Sequence, residues 1–313
     1  MEQVKTRMYF TGGCGLNLGM EYSPTSESVC FLDSSAANIR HAQISDERLY
    51  IIPGTDGAGG DQAYMMPFAR KHAPQMLEHF PAGVQNIVVT SGGGGTGPAI
   101  AIALVDELVK AGQDVFVIVI GGYDSTRRVR NTTNIMKNLE LMPLKHEQNV
   151  VVAYVPNSGG EAAADDEVLF ILSALDALTD QDNDRLDTRD LSNFMQVHRI
   201  AAVQPQLLML HVRETRQEAA AILEPVSVAV LVNDIALDVP YGNPMARTVG
   251  ITRREDKLPG NQLHFVLNTG GVTDVLAELD ETLTKLNTVQ SGFRQRRTSF
   301  AKADLGENEL FVG

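Results

Sequence analysis

Residues 91–99 read SGGGGTGPA. Four consecutive glycines, then Thr96, Gly97 and Pro98, stand between a strand-like run at 86–90 (NIVVT) and a helix-like run at 98–111 (PAIAIALVDELVKA). Glycine has no Cβ, so such a loop can turn its N–H groups toward an anion without steric cost. Pro98 suits the first helical position and Gly112 a helix C′ stop. The loop therefore ends at a helix N-terminus, where the dipole and free N–H groups attract phosphate, and Thr96 adds a hydroxyl donor. A flexible linker is the plain alternative, but linkers are rarely flanked by a buried strand and a capped helix. No Lys follows the glycines, so the segment is not a P-loop.

Working outward, the first half alternates strand-like and helix-like segments. Strands are predicted at 7–10, 29–32, 49–52, 86–90, 114–120 and 149–155, several of them continuous β-branched runs suited to parallel strands buried on both faces. This is the pattern of a doubly wound α/β domain, with its ligand at the carboxyl ends of the strands. Glycine clusters fall at those ends: Gly12, Gly13 and Gly15; GTDGAGG at 54–60; the run at 92–97; and Gly121–Gly122.

A central helix is predicted over 161–179, with Val168, Ile171, Leu172, Leu175 and Leu178 at helical spacing, followed by a polar segment at 180–190. Further strands at 207–213, 226–233, 247–252 and 262–268 suggest a smaller α/β domain with a mostly β core. A last helix is expected at 272–288. The expected division is 1–160 for the nucleotide-binding domain, 161–180 for the central helix, 181–271 for the C-terminal domain, and 272–313 for a helix and tail.

Composition bounds the rest. The 313 residues are 43% hydrophobic, enough for two domains and a large core. No apolar run approaches the roughly 20 residues that span a bilayer. The opening MEQVKTRMYF lacks signal-peptide features, and Cys14 and Cys30 form no disulfide framework, so a cytoplasmic setting is expected. A formal net charge of −13 argues against broad, sequence-independent nucleic-acid binding. The histidines and cysteines show no metal-ligand spacing.

Two motifs carry competing readings. TGGCGLN at 11–17, taken as a loop after the first strand, nearly matches the dinucleotide fingerprint, and Asp33 stands near that fingerprint's ribose-binding acid. A nicotinamide-dependent Rossmann oxidoreductase is therefore a competitor, although the densest glycine loop follows the fourth strand instead of the first. In LDTRDL, Asp187 and Asp190 are spaced to share one face of a helical first turn. Plain N-capping by Asp187, supported by Asp190, is the reading that the local pattern alone favours.

Taken in order, TGGCGLN, GTDGAGG, SGGGGTGPA, a long central helix and LDTRD resemble the tubulin/FtsZ superfamily across nearly the whole chain. Pro98 and Ala99 replace the last two residues of the family's GGGTG loop signature. Leu16 is inserted before Asn17 in its first loop. Arg185 stands where the family usually has Asn, with Asn183 two residues earlier. Small size and the wording of LDTRDL and GGYDST bring the chain nearest the phage branch.

The resemblance implies a GTP-binding, GTP-hydrolysing cytoskeletal protein that forms dynamic filaments and positions phage DNA in the host bacterial cytoplasm. It implies GTP or GDP contacts from Gly12, Gly13, Cys14 and Asn17; from Gly57, Ala58, Gly59 and Gly60; and from Gly93, Gly94, Gly95, Thr96 and Gly97. Asp124, Arg128, Asn134 and Asp165 complete that set, and Asp187 and Asp190 would be the catalytic acids. Arg127 and Arg130 could also reach the nucleotide or form a solvated face; Asn134 and Asn138 could read guanine or lie exposed. Mg2+ is expected to arrive with the nucleotide.

Asp187 lies 22 residues beyond Asp165, which along a helix is on the order of 30 Å. The acids then reach only a neighbour's nucleotide, and a head-to-tail homopolymer follows. The tail, apolar at Phe300, Leu310, Phe311 and Val312 and acidic at Asp304, Glu307 and Glu309, is expected to contact the adjacent subunit near Arg253 and Arg254. No membrane or direct nucleic-acid contact is expected.

Overall fold

The computed structural model describes residues 4–23, 26–38, 44–179, 183–201, 203–237, 241–242, 244, 246–252 and 258–303, with the side chains at 259 and 292–303 left undescribed. The chain alternates β1 (Thr6–Thr11), α1 (Gly12–Tyr22), β2 (Val29–Asp33), β3 (Leu49–Ile51), α2 (Gln62–His79), β4 (Gln85–Ser91) and α3 (Thr96–Lys110). It continues with β5 (Val115–Ile120), α4 (Thr126–His146), β6 (Val150–Val155) and the central helix α5 (Glu161–Thr179). Then come β7 (Asn183–Asp184), α6 (Thr188–Met195), β8 (Leu207–Arg213), α7 (Arg216–Ala220), β9 (Pro225–Val232), β10 (Ala246–Thr252), β11 (Gln262–Asn268) and α8 (Gly270–Ala303).

All the strands join one 11-stranded sheet in the order β3-β2-β1-β4-β5-β6-β8-β11-β9-β10-β7. The first six are parallel, as is the β6–β8 junction, where Val150, Val151 and Val152 pair with Leu207, Leu208 and Met209. Antiparallel pairs enter only beyond it, at β8–β11, β11–β9 and β10–β7. The reason is visible in the sequence of β5, VFVIVI, which is buried throughout because helices cover both faces. Successive residues of β1 serve opposite layers: Met8 and Phe10 pack with α1 and α5, whereas Tyr9 packs with α2 and α3. The α/β class and the mostly parallel sheet are those expected.

Three elements differ from expectation. The predicted loop at 11–17 is not a loop: α1 begins at Gly12, directly after β1. Gly12 makes that turn in one residue at φ 71°, a conformation costly to any residue with a Cβ. The polar segment at 180–190 holds β7 and the start of α6. The last helix extends to Ala303, well past 288; Gln290, Arg294, Gln295, Arg296, Arg297, Ala301 and Lys302 favour it, against Gly292.

Candidate functional site

The carboxyl ends of β1, β4 and β5 open into a cavity of about 490 Å3. Its floor is backbone. Gly97 lies so close to β1 that a Cβ would sit 2.7 Å from the Thr11 carbonyl oxygen. Thr11 Oγ1 donates to the Gly97 carbonyl at 3.0 Å, tying β1 to α3. Gly95 meets the second glycine cluster as closely, 2.7 Å from Ala58 Cβ and 2.8 Å from Asp61 N for a built Cβ. In that cluster Gly57, Gly59 and Gly60 have φ of 80°, 56° and 80°. Gly94 differs: nothing lies nearer than 3.7 Å to its Cβ position. The loop is therefore packed too closely for a side chain at Gly95 and Gly97 and open at Gly94.

Asn131 locks the glycine clusters together. Its Nδ2 is 3.0, 3.1 and 2.9 Å from the carbonyls of Gly60, Gly93 and Gly94, and the residue is 7% exposed. Thr96 Oγ1 lies 2.8 Å from Ser34 Oγ, so its hydroxyl is already shared with the end of β2.

Helix capping marks the cavity's polarity. Asp61, Ser125, Asp187 and Thr215 cap α2, α4, α6 and α7 with their side chains. α1 and α3, whose N-termini face the cavity, have no side-chain cap and no acid in the first turn. Both N-termini border the same cavity, an arrangement that suits an anion. The far rim is acidic. Glu161 and Asp165 of α5 line it, and the Asp165 carboxyl is pushed upward by burial and by Glu21, Glu161 and Asp166. Burial, with Asp165 and Glu161 nearby, pushes the Cys14 thiol up to about 11, so it stays protonated beside the cavity at neutral pH.

Of the residues expected at the nucleotide, all but Gly93, Asp124 and Asn134 line this cavity. Gly93 is packed behind it against Arg128 and Gly122. Asp124 holds Arg128, which does line it, through a 3.0 Å ion pair. Asn134 is exposed on α4, and its carbonyl accepts from Asn138 Nδ2, so neither asparagine reaches the cavity. Arg127 donates to the Gly59 carbonyl at 3.1 Å and Arg130 is exposed. Asn131, Asn157 and Ser34 escaped the sequence reading. Asn157 lines the cavity and keeps a buried Oδ1 without a hydrogen-bond partner.

Asp187 and Asp190 line a second cavity of about 440 Å3, together with Lys5, Gln85, Asn183 and Arg185. They form a reciprocal capping box on α6: Asp187 Oδ1 accepts from the amides of Arg189 and Asp190, both at 2.8 Å, and Asp190 Oδ2 accepts from the Asp187 amide at 3.3 Å. Asn183 Nδ2 donates to the carbonyls of Ala177 and Leu178, closing the end of α5. The two cavities share no lining residue and lie toward opposite ends of α5, whose 19 residues span about 28 Å.

Among the described residues no cluster of three or more His, Cys, Asp or Glu could hold a metal, and no helix is long and apolar enough to cross a membrane. The oxidoreductase alternative is not supported. Asp33 is fully buried, accepts from the Ser34 amide at 2.6 Å and does not line the cavity.

Comparison with known proteins gives the family. Residues 186–272 match the family model for the C-terminal domain of phage tubulin-like proteins. A phage tubulin-like protein of Pseudomonas phage PhiPA3 is 36% identical over 317 residues, covering 100% of this chain and 99% of the relative. A protofilament structure of TubZ from bacteriophage PhiKZ superposes with a TM-score of 0.87 at 32% identity, covering 99% of this chain and 96% of that one. A structure of the phage tubulin PhuZ with GDP gives a TM-score of 0.87 at 26% identity over the same shares. Identity of 36% over the whole of this chain places it among the phage tubulin-like proteins, and on that ground the chain belongs to them.

Proposed function

We propose that this protein binds GTP in the glycine-lined cavity, assembles head to tail and hydrolyses GTP at the junction between subunits. The carrying observation is the separation of the two cavities along α5: the uncapped starts of α1 and α3 lie near one end and the acid pair beyond the other. The cradle suits the triphosphate, because the starts of α1 and α3 carry no side-chain cap and Gly94, Gly57 and Gly59 leave open space on its wall. Mg2+ accompanies the triphosphate and neutralises part of its charge. The acidic rim supports guanine over adenine, since the guanine N1–H and N2 amino groups are donors that a carboxylate such as Asp165 accepts. Asn157, with its unpartnered Oδ1, stands beside Asp165 for the same task.

In the assembled state Asp187 and Asp190 orient a water for in-line attack on the neighbour's γ-phosphate. Each has a carboxylate oxygen outside the capping-box bonds. A contact between unlike faces of identical subunits repeats without closing, which gives a filament. Phage DNA is the cargo implied by the family resemblance. The tail at 304–313 and Arg253 and Arg254 lie outside the described residues; their contact with the next subunit remains part of this proposal.

Complementation tests the split site. Gly94→Asp places a carboxylate where phosphate is expected and leaves the fold intact. Asp187→Asn removes the acid and keeps an N-cap. Each variant alone should be inactive, while a mixture regains turnover, because cradles of the second meet acids of the first. A mixture as inactive as its parts, or wild-type turnover independent of protein concentration, would overturn the reading.

A further inference from the structure

The glycine-lined cavity is short of positive side chains. Among the described residues no lysine lines it, and the one arginine that does, Arg128, is paired with Asp124. Phosphoryl transfer needs cationic charge at the γ-phosphate oxygens as negative charge spreads over them. The acid cavity holds two cations, Lys5 and Arg185.

Arg185 has an unusual backbone. Its φ is 67°, in the left-handed region, where Asn or Gly is at ease and a long side chain is not. The other described non-glycine residues with positive φ, Glu147, Glu224 and Asn261, lie in bends or at helix ends, away from both cavities. Arg185 is held in place from both sides. Asn183 and Asp184 pair with Thr252 and Ile251 of β10. Leu186 packs on Gly250, where a Cβ would lie 3.1 Å from Leu186 Cβ. Asp187 is fixed in the capping box. The guanidinium itself is exposed, and no hydrogen bond or ion pair engages it among the described residues.

The same cavity has groups suited to a water. Gln85 and Asn183, 3% and 7% exposed, each keep a buried amide oxygen with no hydrogen-bond partner. These acceptors, with Asp187 and Asp190, make a setting for hydrogen-bond donors, and Arg185 sits at its edge.

We propose that Arg185 acts across the subunit junction as the cation that stabilises charge on the neighbour's γ-phosphate during hydrolysis. The inference rests on the junction reading above and adds a catalytic residue to it. The attacking water's oxygen bonds to the γ-phosphorus, and the β–γ bridging oxygen leaves with the electron pair of the broken bond. GDP and inorganic phosphate result. The water's proton passes to an acid-pair carboxylate and then to solvent. Arg185 keeps its proton and exchanges none; its hydrogen bonds to the γ-oxygens strengthen as charge develops there.

Arg185→Gly tests this without threatening the fold, because glycine relieves the left-handed strain. Turnover per filament subunit should fall about 10³-fold, with GTP affinity and pelleting with GTP retained. GDP with aluminium fluoride, a mimic of the transferring phosphoryl group, should stabilise wild-type filaments and not those of Arg185→Gly. Arg185→Lys should recover part of the rate. Mixing Arg185→Gly with Gly94→Asp subunits should restore turnover, since the second supplies arginines to cradles of the first. Wild-type turnover by Arg185→Gly, or no restoration in the mixture, would overturn the proposal. Asp187→Asn separates the two levels. If it too turns over normally, the junction reading fails; if it is inactive while Arg185→Gly is active, only the arginine's role fails.

Discussion

The two cavities are built from different material. The glycine-lined one is made of backbone: its walls approach so closely that Gly95 and Gly97 have no space for a Cβ, and what it offers a ligand is the uncapped starts of two helices. The acid cavity is made of side chains, and its two carboxylates already have structural work in the capping box. Backbone sites dictate glycine and so announce themselves in a sequence. Side-chain sites use residue types that also serve ordinary ends of helices.

Substitutions can break this contrast, beginning with the largest effect. Asp187→Asn keeps the cap and removes the carboxylate. Turnover should fall about 10²–10⁴-fold, while stability stays within about 0.5 kcal/mol, since Asn and Asp cap equally well. Asp187→Ala should show the same loss of rate and a further loss of about 1 kcal/mol in stability. Denaturant melts beside phosphate-release assays would show whether the two roles separate; equal stability of the Ala and Asn variants would mean the cap contributes nothing.

Gly95→Ala should destabilise by about 1–3 kcal/mol by forcing the glycine clusters apart, and weaken GTP binding with it. Gly94→Ala, at the open position, should leave the melt unchanged and alter affinity alone. Calorimetric titration together with melts of both variants checks this, and identical melts would show that the clusters are not held as described. Asn131→Ala, which loses the tie to the Gly60, Gly93 and Gly94 carbonyls, should weaken stability and affinity together by about 1–3 kcal/mol.

The smallest effect concerns pH. The Asp165 carboxyl titrates above its ordinary range, so protonation favours the folded state and the penalty grows as pH rises through that raised value. Asp165→Asn should therefore stabilise the ligand-free protein at neutral pH by a few tenths of a kcal/mol at most, given its solvent exposure. The gain should vanish in acid, below the ordinary carboxylate range, and GTP affinity should drop throughout. A gain that grew on acidification would reverse the assigned sign.

Much of the fold could be read from sequence for reasons these cavities illustrate. Strands such as VFVIVI are buried on both faces and read as unbroken β-branched runs, and every predicted strand matches within one residue at each end. What escaped has physical causes. TGGCGLN looks like a loop by composition, yet a single left-handed glycine lets a helix follow the strand directly. Pro67 and Pro74 stand inside α2, where an interior proline normally argues against a helix. Asn131 acts through carbonyls of residues distant in sequence, so nothing around it marks it out. The acids of LDTRDL read first as a cap, and the cap is there; family resemblance alone pointed beyond it.

The placement of the two cavities also sets the arithmetic of any polymer this chain builds. When each complete site takes one part from either side of a contact, a row of n subunits holds n − 1 of them. The subunit at one end keeps a nucleotide that nothing can cleave until another copy arrives. The subunit at the other end displays acids with no substrate. Identical molecules thus make a row whose ends are chemically unlike, and addition at the first end is the event that starts the clock on the nucleotide beneath it.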